Sequence, residues 1–171
     1  QAEMRHFLRE YNREIVQERS MTIPARTVEA LWSIYRTPSF RAGMMVKDPD
    51  GREKVLVGNV TKVANLIIKE MNMEEDDSEE GSKKKRKEEI SSQSMGHRLR
   101  QDLQLKMSDR TNKGFYVYWD TEHMTALAKR YGIDPEDLMD LSGKLGTIAP
   151  LVEEKPLKKS AGEALPGMEG A

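Results

Sequence analysis

The sequence predicts a mainly α-helical fold with a small antiparallel β-ribbon. Apolar residues recur at the spacing of an amphipathic helix in five segments, which are 3–19, 22–36, 60–72, 92–103 and 121–131. The run Phe-Tyr-Val-Tyr-Trp at 115–119 has high strand propensity. The run Lys-Asp-Pro-Asp-Gly at 47–51 is a turn signal between two short apolar stretches, which predicts a hairpin.

The first two helices are predicted from their apolar stripes and end signals. The stripe of segment 3–19 consists of Met4, Phe7, Leu8, Tyr11 and Ile15, with Val16 beside it. Segment 22–36 begins with Thr22 as a candidate N-cap and has Pro24 in its first turn. The pair Thr37-Pro38 should end this helix, because the residue before a proline avoids helical backbone angles.

The remaining helices have comparable signals at their ends. Asn59 or Thr61 is expected to cap the third helix, which has a broad apolar face. The pair Ser91-Ser92 should cap the fourth, in which Met95, Leu99 and Leu103 face inward; Gly96 would allow close packing. Helix 121–131 should stop at Gly132, and Asp134-Pro135 should start a short final helix over 135–142. In the aromatic run, alternation predicts Phe115, Val117 and Trp119 inward and Tyr116 and Tyr118 outward.

The composition indicates that part of the chain lies outside any core. Hydrophobic residues make up 37% and charged residues 33%, so an evenly folded globule of 171 residues would lack core-forming side chains. Segment 73–90 has six acids followed by five bases and almost nothing apolar, which predicts a disordered insertion. Residues 143–171 are rich in Lys, Glu, Gly and Pro and should form a flexible tail.

Charge is distributed unevenly along the chain. The net charge is +3 over 1–73, −6 over 74–82, +6 over 83–130 and −4 over 131–171. A basic middle section beside acidic stretches is typical of a surface that faces phosphate, although a polyampholyte linker beside a neutral domain gives the same profile. The basic run at 83–87 fits a nuclear-localisation or nucleic-acid patch as well as a solvated linker.

Several classes of protein are excluded or disfavoured. The absence of cysteine excludes disulfide scaffolds and thiolate metal sites. No apolar run could span a bilayer, so we expect no membrane association and an intracellular location, in the cytoplasm, nucleoid or nucleus. We expect no metal at His6, His97 or His123, no cofactor, and no catalytic motif within this chain. The chain begins at Gln1, so we expect it to be a piece of a longer protein.

The block 91–131 has the order capped helix, turn, strand, polar turn with glycine, aromatic strand and helix, and it resembles the winged-helix superfamily of DNA-binding domains. The resemblance lies in Ser-Gln-Ser-Met-Gly-His-Arg-Leu-Arg-Gln-Asp-Leu at 92–103 as recognition helix and in 110–119 as wing. Helix 60–72 would precede the recognition helix. The turn between these helices normally has a few residues, whereas here 73–90 intervenes; a looped-out insertion would preserve the geometry.

The resemblance implies that double-stranded DNA is the partner. The residues expected to contact base edges or phosphates on the helix are Gln93, Ser94, His97, Arg98 and Gln101, with Gln104 beyond them and Arg100 to one side. Arg110 and Lys113 at the wing tip are expected to contact phosphates. The alternative is that this polar face is only solvated, since Arg and Gln are ordinary helix formers. Tyr116 and Trp119 could stack on bases or form the core of the wing.

A second resemblance lies near the start of the chain. Thr-Ile-Pro-Ala-Arg-Thr-Val-Glu-Ala-Leu at 22–31 is similar to the stretch that opens the lid in minichromosome-maintenance-type AAA+ helicases. The resemblance implies that Arg26 senses a nucleotide phosphate and that an ATP-dependent helicase core lies elsewhere in the parent protein. Thr22 precedes Arg26 by four residues, whereas the family has two.

These observations predict three regions. Residues 1–43 form N-terminal amphipathic helices, lid-like or for dimerisation; 44–142 form a winged-helix domain with the insertion at 73–90; and 143–171 form the tail. The predicted function is double-stranded DNA binding within a larger DNA-processing protein such as an AAA+ helicase. The alternatives are a free-standing homodimeric transcription regulator and a winged-helix module for protein docking.

Overall fold

Six α-helices and a three-stranded antiparallel sheet make up residues 2–76 and 89–145, the part of the chain that this computed structural model describes. The predicted fold class, mainly α with a small antiparallel β-ribbon, is confirmed. The helices are α1 (Ala2–Ser20), α2 (Ile23–Arg36), α3 (Pro38–Met44), α4 (Val57–Asp76), α5 (Ser92–Gln101) and α6 (Thr121–Tyr131). The strands are β1 (Met45–Lys47), β2 (Glu53–Leu56) and β3 (Tyr116–Tyr118).

Local capping residues set several helix ends where the sequence predicts them. The Thr22 hydroxyl accepts a hydrogen bond from the Ala25 amide at 3.4 Å, and Ser91 does the same for Ser94 at 3.2 Å. The Asp120 carboxylate caps α6, which ends at Gly132 in the left-handed conformation. These side chains satisfy backbone groups that the helix itself leaves unpaired.

The prediction of where the third helix begins is wrong. Neither Asn59 nor Thr61 caps α4, which begins at Val57 directly after β2. The Val57 amide donates to the Phe115 carbonyl at 2.9 Å, so a distant strand satisfies the first amide of the helix in place of a capping side chain. Helix α3 was not predicted. Pro38 signals the end of α2, but a proline is also favoured in the first turn of a helix, and Pro38 begins α3.

The predicted helix over 135–142 is also wrong. The carboxylate of Asp134 accepts from the Glu136 amide and that of Asp140 accepts from the Ser142 amide, both at 2.9 Å. These short hydrogen bonds offer the backbone an alternative to the helix, so the segment forms turns. Leu141 still reaches the core and is completely buried.

The predicted disordered insertion differs at both ends from the structure. Helix α4 continues to Asp76, so 73–76 are helical, and Ile90 is buried. The side-chain amide of Asn65 donates to the Ile90 carbonyl and accepts from the Ile90 amide, both at 2.9 Å. This pair of hydrogen bonds holds the start of α5 against α4. Residues 77–88 and 146–171 lie outside the described residues.

The sheet has the order β1-β2-β3. The β1–β2 hairpin is confirmed, with Val46 opposite Lys54, and β2 pairs with β3 through Val55 and Val117. On the other side of β3, Met107 bridges Val117, and the Tyr118 amide donates to the Lys106 carbonyl at 2.9 Å. The chain after α5 therefore forms a second hairpin whose return strand is joined to β2.

Helix α2 lies at the centre of the core. Its buried apolar residues are Ala25, Val28, Ala30, Leu31, Trp32 and Ile34. They share one hydrophobic cluster with Val60, Val63, Ala64 and Ile67 of α4 and Met124, Leu127 and Ala128 of α6. Residues 23–36 thus belong to the same core as the elements that follow residue 44.

Helix α1 packs differently, since none of its residues is buried. Its contact with the body is at its C-terminal end, where Val16 lies over the turn that ends α6. Gly132 in that turn has φ +67°, and a Cβ atom added to it would lie 2.5 Å from Val16 Cγ1. Glycine is therefore required twice, for the backbone conformation and for the approach of α1.

We expect Gly132→Ala to destabilise the protein more than Gly51→Ala. Both glycines have positive φ, but nothing lies within 4 Å of a Cβ at Gly51. The left-handed conformation costs alanine about 1–2 kcal/mol at either site, and Gly132→Ala must also displace Val16. Chemical denaturation of both variants measures the difference. Equal losses would show that the α1 contact contributes nothing to stability.

Candidate nucleic-acid interface

Helix α5 is fixed to the body by one apolar face. Met95 and Leu99 are completely buried, and Leu103, beyond the end of the helix, is 1% exposed, so the predicted inward face is confirmed. The Thr27 hydroxyl of α2 contacts Met95 Sδ at 3.6 Å. Anchoring at the Ser91 cap and along this face leaves the opposite side of α5 in solvent.

The exposed side of α5 carries Gln93, His97, Arg100 and Gln101. Within the described residues, Gln93, His97 and Gln101 have no hydrogen bond or ion pair through their side chains, and Arg100 has only a cation–π contact. Their side chains are donors and acceptors available to a ligand. This face needs no intramolecular partner because water satisfies it in the free protein.

Two of the predicted site residues lie at the edge of that face. Ser94 is half-buried, and Arg98 is half-buried with a guanidinium nitrogen 3.6 Å from Asp102 Oδ2, one turn along the helix. Arg98 Nε is buried and has no partner within the described chain. Arg100 is therefore the more available cation on α5, whereas the sequence pattern placed Arg98 on the polar face and Arg100 to one side.

The turn of the second hairpin presents the other predicted cations. The Thr111 amide donates to the Gly114 carbonyl at 2.9 Å and the Gly114 amide donates back at 3.1 Å, which closes a tight turn. Arg110 and Lys113 are exposed on it. The guanidinium of Arg100 lies 5.9 Å from the centre of the Phe115 ring, so the exposed side of α5 and the base of this hairpin adjoin.

The predicted orientation of the aromatic run is partly wrong. Val117 is buried as predicted, but Phe115 is 38% exposed and Tyr116 only 3%. The Lys54 ammonium of the neighbouring strand lies 5.0 Å from the centre of the Tyr116 ring and contributes to its burial. Phe115 precedes β3 and leaves the pleat, so strand alternation does not apply to it.

Trp119 belongs to an aromatic cluster with α2. Its ring stacks on Tyr35 with centres 4.1 Å apart and meets Trp32 edge-on at 4.9 Å. The indole Nε1 of Trp119 donates to the Thr121 hydroxyl at 2.9 Å. Trp119 is therefore engaged in packing, and within the aromatic run Phe115 is the ring most exposed to a ligand.

A groove of about 500 Å³ adjoins the second hairpin and was not foreseen from the sequence. It is lined by polar groups that include Arg52, Gln104, Lys106, Tyr118, Asp120 and His123. Gln104 has φ +52°, an uncommon conformation for a residue other than glycine. His123 Nε2 lies 2.8 Å from the Leu103 carbonyl, which fixes the imidazole at the edge of the groove. No local motif joins these positions, because they come from three separate segments.

Arg52 is held in place by the turn of the first hairpin. Its backbone amide and Nε donate to the two Asp48 carboxylate oxygens at 2.9 and 3.0 Å, and its guanidinium lies 4.7 Å from the Tyr118 ring centre. Burial of Asp48 opposes its ionisation, but the hydrogen bonds and charge of Arg52 outweigh burial and lower the pKa of that carboxyl. Asp48 thus remains ionised and offsets part of the Arg52 charge.

The other predicted functional positions are separate from this surface. Arg26 pairs with Glu29 at 2.5 Å and donates to the Ser20 carbonyl at 2.7 Å, and its side chain is only 17% exposed. His97 and His123 belong to different elements, and over 2–76 and 89–145 no group of His, Asp or Glu residues could hold a metal ion. No helix in the described part of the chain is long and apolar enough to cross a membrane.

Comparison with known proteins identifies no relative: no family model, no curated protein and no solved structure matches this chain. Any function proposed for this chain therefore rests on its own sequence and structure.

Gly96→Ala should stabilise the protein. Gly96 lies within α5, and an added Cβ would be 4.0 Å from Val57 Cγ1, which is ordinary van der Waals contact. Alanine is favoured over glycine in a helix by about 0.5–1 kcal/mol. Chemical denaturation should show a gain of that size. A loss of stability would mean that α5 has no room for a methyl group beside Val57.

Alanine substitution should distinguish the two neighbouring aromatic residues. Tyr116→Ala removes an almost completely buried ring and should cost about 3–5 kcal/mol, as when other large aromatic side chains are truncated. Phe115→Ala should cost clearly less, about 1–2 kcal/mol, because more than a third of that residue is already in solvent. Midpoints of chemical denaturation test both. The reverse ranking would mean that the protein covers the Phe115 ring and leaves the Tyr116 ring in solvent.

Proposed function

We propose that this chain binds double-stranded DNA as a winged-helix module. In this proposal α4 and α5 are the helix-turn-helix pair, α5 is the recognition helix, and the hairpin turn 108–115 is the wing.

The order of the elements supports the proposal. Helix α2 is followed by the short helix α3 and the β1–β2 hairpin, then by α4 and α5, and then by a hairpin whose return strand β3 pairs with β2. A helix, a short strand, two helices and a two-stranded wing occur in this order in winged-helix proteins. The hydrogen bonds between Asn65 and Ile90 keep α4 and α5 adjacent although residues 77–88 come between them.

The single observation that carries the proposal is the solvent-facing side of α5. It offers Gln93, His97, Arg100 and Gln101 without competing hydrogen bonds or ion pairs in the described chain. A helix of this width fits the major groove of B-DNA, where amide and imidazole groups can read base edges. Across 91–119 five Lys and Arg residues stand against two Asp residues, so the field near this helix favours phosphate.

The predicted contacts divide by chemistry. Gln93, His97 and Gln101 are assigned to base edges, whereas Arg100 and Arg110 are assigned to the phosphate backbone. Lys113, in the wing, is also assigned to the phosphate backbone. Ser94 and Arg98 lie beside the part of α5 that would enter the major groove. Arg98 contributes less than Arg100 because Asp102 already neutralises part of its charge.

We place this module within a larger DNA-processing protein, such as an AAA+ helicase, in the nucleoid or nucleus. For a lid role, Arg26 would have to exchange Glu29 for a nucleotide phosphate, since the two are paired in this structure.

The test is the salt dependence of binding to a fluorescently labelled DNA duplex, measured by anisotropy. Log affinity should fall with log salt with a slope of about 0.9 for each phosphate contact. The variant Arg100→Ala/Arg110→Ala should therefore bind more weakly with a slope smaller by about two contacts. The control Lys129→Ala/Arg130→Ala removes the same charge from exposed positions of α6.

Absence of duplex binding at low salt would refute the proposal and favour the protein-docking module. An equal loss in the α6 control would show that binding follows net charge and does not use α5 and the wing.

A further inference from the structure

The N-terminal part of α1 exposes a continuous apolar stripe. Met4 is 66% exposed, Phe7 63%, Leu8 49% and Tyr11 51%, and every residue from 2 to 14 is exposed. The rings of Phe7 and Tyr11 stack with centres 6.2 Å apart, so the stripe is already ordered by its own side chains. We name these four residues the α1 stripe.

Such a helix is poorly stabilised by itself. In proteins most helical stability comes from packing of an apolar face, and none of the α1 stripe is buried in the described part of the chain. The contact between Val16 and Gly132 holds the C-terminal end of α1 and lies outside the stripe. The stripe is therefore open to a partner that need not disturb the contact with α6.

The charges beside the stripe are separated by sign. With 3.6 residues per turn, Glu3, Glu10 and Glu14 lie along one side of it, and Arg5, Arg9 and Arg19 lie along the other. We call these the acidic row and the basic row. A partner that fits this surface presents an apolar stripe with basic residues facing the acidic row and acidic residues facing the basic row.

We propose that the partner is α1 of a second copy of this chain, aligned in parallel. A two-fold axis along the pair brings the acidic side of each helix against the basic side of the other, where Glu14 and Arg19 are the charges that flank the seam. In an antiparallel pair the two-fold axis is perpendicular to the helices and brings rows of like charge together. The separation of charge therefore selects the parallel arrangement.

The spacing of the apolar residues fits the same arrangement. Met4, Leu8 and Tyr11 of the stripe and the half-buried Ile15 are separated by four, three and four residues, which is the seam of a two-stranded coiled coil, and Phe7 flanks that seam. In that register Glu14 of one copy faces Arg19 of the other, five residues further along the chain. The seam is short, so the dimer should dissociate on dilution. This inference does not depend on DNA binding.

The first test is the oligomeric state of the full chain by sedimentation velocity over a range of concentrations. The dimer fraction of the wild type should rise with protein concentration. The variant Leu8→Gln/Tyr11→Gln should be monomeric where wild type is dimeric. The control His6→Gln/Arg13→Gln changes two exposed residues on the opposite side of α1 and should dimerise as wild type does.

The second test uses the absence of cysteine from the chain. Met4→Cys should form a disulfide-linked dimer on mild oxidation, because a parallel pair brings position 4 next to its own copy. Arg13→Cys, on the opposite side of the helix, should not. Glu14→Arg should weaken the dimer, and Glu14→Arg/Arg19→Glu should restore it.

Each of three results would overturn the proposal: a monomeric wild type throughout, a dimer that survives Leu8→Gln/Tyr11→Gln, or Met4→Cys that links no better than Arg13→Cys. The last result together with loss of the dimer in the stripe variant would identify an antiparallel pair. Circular dichroism of each variant confirms that α1 remains helical.

Discussion

The packing around the indole of Trp32 is the contact on which the arrangement of the other elements depends. Its Nε1 donates to the Met124 carbonyl at 3.2 Å, which joins α2 to α6, and its ring meets Trp119 edge-on just after β3. Tyr35 of α2 stacks on the same Trp119 ring. One buried side chain thus links the central helix, the last helix and the end of the sheet, and the second hairpin is fixed relative to the helices through it.

The fold is predictable from sequence where a local signal decides it and not where a distant residue does. Thr22, Ser91 and Gly132 cap their helices through bonds to residues within a few positions, so the pattern predicts them. Val57 begins α4 because its amide bonds to Phe115, which is far away in the chain. Residues 135–142 form turns because the Asp134 and Asp140 carboxylates accept hydrogen bonds from backbone amides two residues further on. The sequence does not show whether these bonds or a helix will be favoured.

The candidate interface shows the same division. The helical period identifies the face opposite Met95 and Leu99 correctly, since burial of those residues leaves only one side in solvent. The relative exposure of Arg98 and Arg100 was not predictable, because it depends on the position of Asp102 and on how the end of α5 meets the body. The groove beside Arg52 and Lys106 requires knowledge of which strands become neighbours, and no spacing along the chain conveys that.

The Asn65–Ile90 hydrogen bonds have a consequence for how this chain tolerates change. A single side-chain amide imitates the pairing of two strands and fixes the point at which the chain enters α5. These hydrogen bonds hold α4 and α5 together whatever the number of residues between Asn65 and Ile90. A longer connection would raise the entropic cost of closing the loop only slightly, because that cost grows with the logarithm of loop length. The connection between α4 and α5 therefore suits insertion of a foreign sequence, such as a reporter, a tether or a regulatory peptide, without a change in how the two helices pack.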